Sequence, residues 1–202
     1  MLKILEQLCM LDGTSGYEDA VRDAIAGMCR PYADEMHVDA MGDLIVRKNG
    51  KRHDGPCLMV TAHMDEVGFL VTHIEEDGSL RIEACGGFDP RVIPARIVRI
   101  GDSGIPGVIG SRPNHLLSKE EKKKVVQIDE MYVDIGASSA EEAMRLVDIG
   151  DQAVLESDFQ YFGHGNRFIK AKALDDRLGC AMMVQLIREE LPLDVLFAFT
   201  VQ

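Results

Sequence analysis

A chain of 202 residues is one large domain or two small ones, and a hydrophobic content of 46% is ample for a packed core. Its 34 acidic residues outnumber 22 Lys and Arg, and the net charge of −12 argues against a nucleic-acid partner; it reads as solubility or, alternatively, as an acidic funnel for amine-bearing substrates. Cys9, Cys29, Cys57, Cys85 and Cys180 are scattered and form no C-x-x-C pair, which suits a reducing cytosol better than a disulfide scaffold or a zinc knuckle.

The N-terminus, Met1–Glu6, carries an early acid and no continuous apolar run, so no signal peptide is expected there. Nor is any stretch long and apolar enough to span a membrane. Leu2, Leu5, Leu8 and Leu11 repeat at helical spacing. A second helix is expected from Tyr17 to Arg30, with Ser15 as N-cap and Glu18 reaching back in a capping box. Met36–Ala40 and Leu44–Lys48 read as short strands, with Asn49-Gly50 turning the chain after the second. Cys57–Ala62 is a continuous apolar run, the pattern of a strand buried on both faces.

After Asp65 the texture becomes β-rich. Val67–Ile74 and Leu80–Ala84 flank Glu76-Asp77-Gly78 as a hairpin. Further strands are expected at Ala95–Ile100, Gly107–Ser111 and Ile128–Ile135. Helices are expected at Ser118–Lys124 and from Ser138 or Ser139 through Leu146. This spacing predicts a small β-barrel or β-sandwich. α/β texture returns near Ile169, with a helix from Asp176 to Glu190 and, beyond Pro192, a buried strand at Leu193–Thr200. The expected fold class is therefore α/β: a mixed-sheet catalytic domain (1–66 and 166–202) interrupted by a barrel-like insert (67–165).

Chemistry concentrates at two places. His63 ends a buried strand, where open α/β sheets place their ligands, and Asp65 at i+2 shares its face if the strand persists. A carboxylate beside an imidazole can fix the ring for metal binding; the plainer alternative is a hydrogen-bonded histidine at a strand end. Asp175-Asp176 precedes a helix. The pair can hold a cation, or Asp176 can simply cap the helix. His37, His53, His73, His115 and His164 read as exposed, strand or loop positions. No G-x-S-x-G elbow, phosphate loop or H-E-x-x-H helix occurs.

Three segments occur together: Thr61-Ala62-His63-Met64-Asp65-Glu66-Val67-Gly68-Phe69, Met131-Tyr132-Val133-Asp134-Ile135-Gly136-Ala137-Ser138-Ser139 and Lys172-Ala173-Leu174-Asp175-Asp176-Arg177-Leu178-Gly179. With Gly86-Gly87-Phe88-Asp89 and Gly107-Val108-Ile109-Gly110, they closely resemble the cytosolic dinuclear-metal aminopeptidases of the glutamyl or deblocking type, the tetrahedral (TET) aminopeptidases. The resemblance implies a cytoplasmic enzyme that removes N-terminal residues from peptides. Its cofactors would be two divalent ions, zinc or cobalt, with manganese also compatible. It implies a dimer-based homo-oligomer, a dodecamer, assembled through the insert. His63 would ligate one metal, Asp175 would bridge both, Asp65 would orient His63, and Asp176 would shape the bridging residue's backbone without being a ligand.

The same resemblance places a Glu-Glu pair, the general base and a ligand, directly after a strand like Phe197–Gln202, with a further Asp and His beyond. None is present, so residues 1–202 are expected to be an inactive fragment with half a site, whose Leu193–Thr200 strand forms an exposed apolar edge. Two alternatives stand beside this reading. One is a glycan hydrolase of the endoglucanase type, disfavoured by zero Trp and 5% aromatics. The other is a non-enzymatic assembly module.

Overall fold

The computed structural model describes residues 1–201, which fall into two compact units: Met1–Glu66 with Ser157–Gln202, and Val67–Glu156. The return to the first unit thus falls at Ser157, where the sequence reading placed it at 166.

The first unit is built on a four-stranded mixed sheet. Its strands are β1 (Glu35–Val38), β2 (Leu44–Lys48), β3 (Leu58–His63) and β12 (Val195–Thr200), in the order β1-β2-β12-β3. β12 runs antiparallel to β2 and parallel to β3, with Thr200 opposite His63. Helices α1 (Leu2–Cys9), α2 (Asp19–Cys29) and α4 (Leu174–Ile187) supply the apolar cover. Val21, Ile25 and Cys29 recur every fourth residue on α2, which puts them on one buried face. Parallel strands require a crossover, and α4 leads into β12 beside β3, so the end of β3 that carries His63 and the start of α4 meet at one sheet edge.

The apolar run at β3 is not buried on both faces. Leu58 and Met59 are 49% and 61% exposed, because β3 is the terminal strand of the sheet. The expectation of an exposed edge at Leu193–Thr200 is corrected in the same way: β12 lies between β2 and β3, and Val195, Phe197, Ala198 and Phe199 are buried. Gln202, the last residue of the expected Phe197–Gln202 run, lies outside the described residues.

The capping box is also replaced. Helix α2 begins at Asp19, and Glu18 accepts from the Gly16 amide at 2.9 Å rather than capping a helix begun at Ser15. The Ser15 hydroxyl is directed elsewhere, to Asp65.

The second unit is a closed barrel, β4-β5-β8-β7-β6-β9: β4 (Gly68–Ile74), β5 (Leu80–Cys85), β6 (Ile97–Ile100), β7 (Ile105–Gly110), β8 (Tyr132–Asp134) and β9 (Gln152–Leu155). Phe69, Leu80, Ile100, Ile109 and Val133 fill it. Phe69 stacks on Phe88 with centroids 4.5 Å apart. Helix α3 (Ala140–Ala143) starts as expected on Ser139, whose hydroxyl accepts from the Glu142 amide. Several expectations are shortened, this helix among them, since it ends at Ala143 rather than at Leu146. Ser118–Lys124 gives only a 3₁₀ turn at Glu121–Lys123, since no apolar face anchors it, and Ile128–Glu130 is a 3₁₀ turn ahead of β8. Strand β9 and the hairpin of β10 (Gln160–Phe162) and β11 (Phe168–Lys170) were not anticipated. Among the described residues no helix is long and apolar enough to cross a membrane.

Candidate metal centre

At the carboxyl end of β3, His63 Nδ1 lies 2.8 Å from Asp65 Oδ1. An ionised carboxylate only accepts, so Nδ1 carries the proton and donates. In the neutral ring this leaves Nε2 as a bare lone pair. It faces Asp175 Oδ1 at 3.3 Å. Two acceptors at this distance need a shared proton or cation between them. Two donors each about 2.0–2.2 Å from one tetrahedral ion stand about 3.3–3.5 Å apart, so the spacing fits metal ligation. The Asp175 side chain is 98% exposed and available to an incoming ion.

Asp175 and Asp176 lie at the start of α4 with non-helical backbone, behind Ala173 in the left-handed region (φ 54), and the peptide between them is cis. Asp176 turns away from His63: its Oδ1 accepts from the Gly179 amide at 3.0 Å. The structure therefore brings His63, Asp65 and Asp175 together and sets Asp176 apart. Among the described residues, no group of three or more His, Cys, Asp or Glu side chains could hold a metal ion. His63 and Asp175 are two donors where a zinc site uses at least three protein ligands. Two other histidines have engagements of their own: His53 Nδ1 meets Asp194 at 3.0 Å, and His73 lies 3.9 Å from Glu75.

A buried ionic cluster, given no role from sequence, supports this edge. Lys172, 7% exposed, donates to Glu66 Oε1, to the Leu11 carbonyl at 2.7 Å and to Asp12 at 3.1 Å. Arg177 is fully buried; it donates to the carbonyls of Met64 (2.5 Å) and Leu8 (2.6 Å), and its Nη2 is 3.9 Å from Glu66. Burial pushes the Glu66 carboxyl above its ordinary range, while Lys172 and Arg177 pull it back. Cys180, whose thiol donates to the His63 carbonyl at 3.3 Å, is pushed up to about 12 by burial. The signal for this cluster was present in sequence. An acid follows the first motif at Glu66, and two cations bracket the second at Lys172 and Arg177.

The family model for M42 glutamyl aminopeptidases matches residues 42–202. The chain belongs to the M42 glutamyl aminopeptidase family. It is 35% identical over 195 residues to the lysyl aminopeptidase of Pyrococcus furiosus, covering 94% of this chain and 54% of that one. Among solved structures it is similar to the TET1 peptidase of Pyrococcus horikoshii (TM-score 0.87, 36% identity, 99% of this chain and 60% of that one), which can assemble into a tetrahedron or a large octahedral shell. It is also similar to a Thermotoga maritima protein named endoglucanase (TM-score 0.84, 36% identity, 98% and 58%). The chain thus spans somewhat more than half the length of these M42 relatives. The family match favours the aminopeptidase reading over the glycan-hydrolase one.

Proposed function

We propose that this chain supplies the first half of a two-metal aminopeptidase site that releases N-terminal residues from peptides. The observation that carries the proposal is His63 Nε2 facing Asp175 Oδ1 at 3.3 Å, with Nδ1 engaged by Asp65. In this reading His63 and Asp175 would hold the divalent ions, zinc or cobalt, with Asp175 as the carboxylate they would share. Bound there, divalent ions supply Lewis-acid chemistry to the scissile carbonyl. Asp65 keeps His63 in the tautomer that presents Nε2, and Asp176 shapes the backbone that presents Asp175. The further ligands and the general base come from outside the described residues. Homo-oligomeric assembly through the barrel unit belongs to the same reading and is supported by the TET relatives.

The test is hydrolysis of aminoacyl p-nitroanilides with cobalt or zinc added. Residues 1–202 alone are expected to be inactive. The same sequence extended to the length of its relatives is expected to be active, to lose activity with a chelator, and to lose at least 10²-fold on Asp175→Ala. Activity that survives chelation, or cleavage of cellulosic substrate instead of peptides, would overturn the proposal.

A further inference from the structure

The Asp65 carboxylate is held at both oxygens. Oδ1 receives the His63 Nδ1 proton, and Oδ2 receives the Ser15 hydroxyl at 2.5 Å. Ser15 lies fifty positions earlier in the chain, at the end of an N-terminal arm that the neighbours of the site grip repeatedly. The Glu66 amide donates to the Gly13 carbonyl at 2.9 Å, and Thr14 forms a parallel bridge with Glu66. Lys172 and Arg177, which flank Asp175, both donate to the Leu11 carbonyl, at 2.7 Å and 3.4 Å, and Arg177 also takes the Leu8 carbonyl. Gly13 sits so close to Arg177 that a Cβ there would stand 3.0 Å from Nη2. The arm is thus fixed from the strand side and from the α4 side at once.

We infer that Ser15 is a positioning residue for the metal-ligating histidine: its hydroxyl fixes the rotamer of Asp65 and thereby holds His63 with Nδ1 protonated and Nε2 bare toward Asp175. A carboxylate with one oxygen free can swing about its χ2 torsion and share its acceptors with water. One held at both oxygens presents a single acceptor direction to the imidazole. A partner that orients a ligand from behind matters for metal affinity because it fixes the tautomer as well as the position of the ring. Ser15 does this at one remove, from a segment that carries no ligand itself.

The inference rests on the proposed metal role of His63, but its first readout does not. In the neutral ring of the metal-free chain, histidine ¹⁵N NMR is expected to show His63 with Nδ1 protonated and Nε2 unprotonated. Ser15→Val should move both resonances toward the averaged position of exchanging tautomers, whereas Ser15→Thr, equal in size but retaining the hydroxyl, should keep the wild-type pattern. Comparing Val with Thr separates loss of the hydroxyl from the change in bulk, and an unchanged far-UV circular dichroism spectrum excludes a folding defect. Should Ser15→Val unfold, Ser15→Ala makes the same test with less bulk. The second readout is Zn²⁺ affinity by titration of the sequence extended to the length of its relatives, expected to fall about tenfold in Ser15→Val and to stay within twofold in Ser15→Thr. A His63 tautomer pattern identical in wild type, Ser15→Val and Ser15→Ala would overturn the inference. A shifted tautomer with no Zn²⁺ binding even in the extended wild-type sequence would instead sink the metal role and leave the positioning role standing.

Discussion

Lys172→Met removes the cation that contacts Glu66 most closely. Both side chains are almost fully buried, at 7% and 4% exposure, so solvent screens the pair little. The substitution leaves Glu66 with one cation, Arg177, at 3.9 Å. Breaking a buried pair by deleting one partner costs about 3–5 kcal/mol, against at most about 1 kcal/mol for an exposed pair. Part of the cost is relieved if Glu66 takes up a proton, which its burial already favours. The double substitution Glu66→Gln with Lys172→Met removes both charges, and Arg177 keeps its carbonyl partners. It is expected to cost about 1–2 kcal/mol, less than Lys172→Met alone, because replacing a whole buried pair is close to neutral. The assay is urea unfolding followed by far-UV circular dichroism, since the chain has no Trp to report by fluorescence. A single-substitution cost of 1 kcal/mol or less, or a double substitution as costly as the sum of the two singles, would refute the view that the cluster is a coupled buried unit.

Asp175→Ala should leave stability within about 0.5 kcal/mol of wild type, because the side chain is 98% exposed, and in the sequence extended to the length of its relatives it should remove the metal-induced shift of the His63 ring resonances. Cys9, Cys29 and Cys180 are pushed by burial up to about 11, about 12 and about 12. The folded chain therefore keeps protons that unfolded thiols release above about pH 8.5, and stability should fall as pH rises from there. The slope is as much as about 4 kcal/mol per pH unit for the three thiols together, and unfolding curves that do not change between pH 8.5 and 10 would contradict it. In a native thiol titration with an aromatic disulfide reagent, exposed Cys57 should react first, and those three only on unfolding. Met59→Lys on the terminal strand β3 should reduce self-association measured by light scattering, whereas association that ignores the substitution would exclude this edge as its cause.

Strands with alternating or well-bounded patterns were legible: β2 at Leu44–Lys48 and the β4–β5 hairpin were read close to their observed bounds. The run at β3 was legible as a strand but not as an edge. Apolar composition reports that a residue can be covered and says nothing about what covers it. Three-residue strands such as β10 and β11 carry too little period to be read, and the lysine-rich segment at 118–124 had helix-forming residues but no face to bury. At the site, His63, Asp65 and Asp175 stood out as candidates by their places at a strand end and a helix start, and their assigned roles came from the family resemblance. Ser15 was misread because Ser-x-x-Glu is a local signature, and a hydroxyl offered a carboxylate fifty residues away took that tertiary partner instead. Glu66, Lys172 and Arg177 are visible in sequence as charges beside the motifs, but only the fold shows that they are buried against each other.

The most direct measurement is anomalous diffraction at the zinc edge from crystals of the sequence extended to the length of its relatives and equilibrated with Zn²⁺. The account predicts a peak about 2.0–2.2 Å from both His63 Nε2 and Asp175 Oδ1, lost in Asp175→Ala. A peak elsewhere with none between these two atoms, or a peak on His63 that persists in Asp175→Ala, would contradict it.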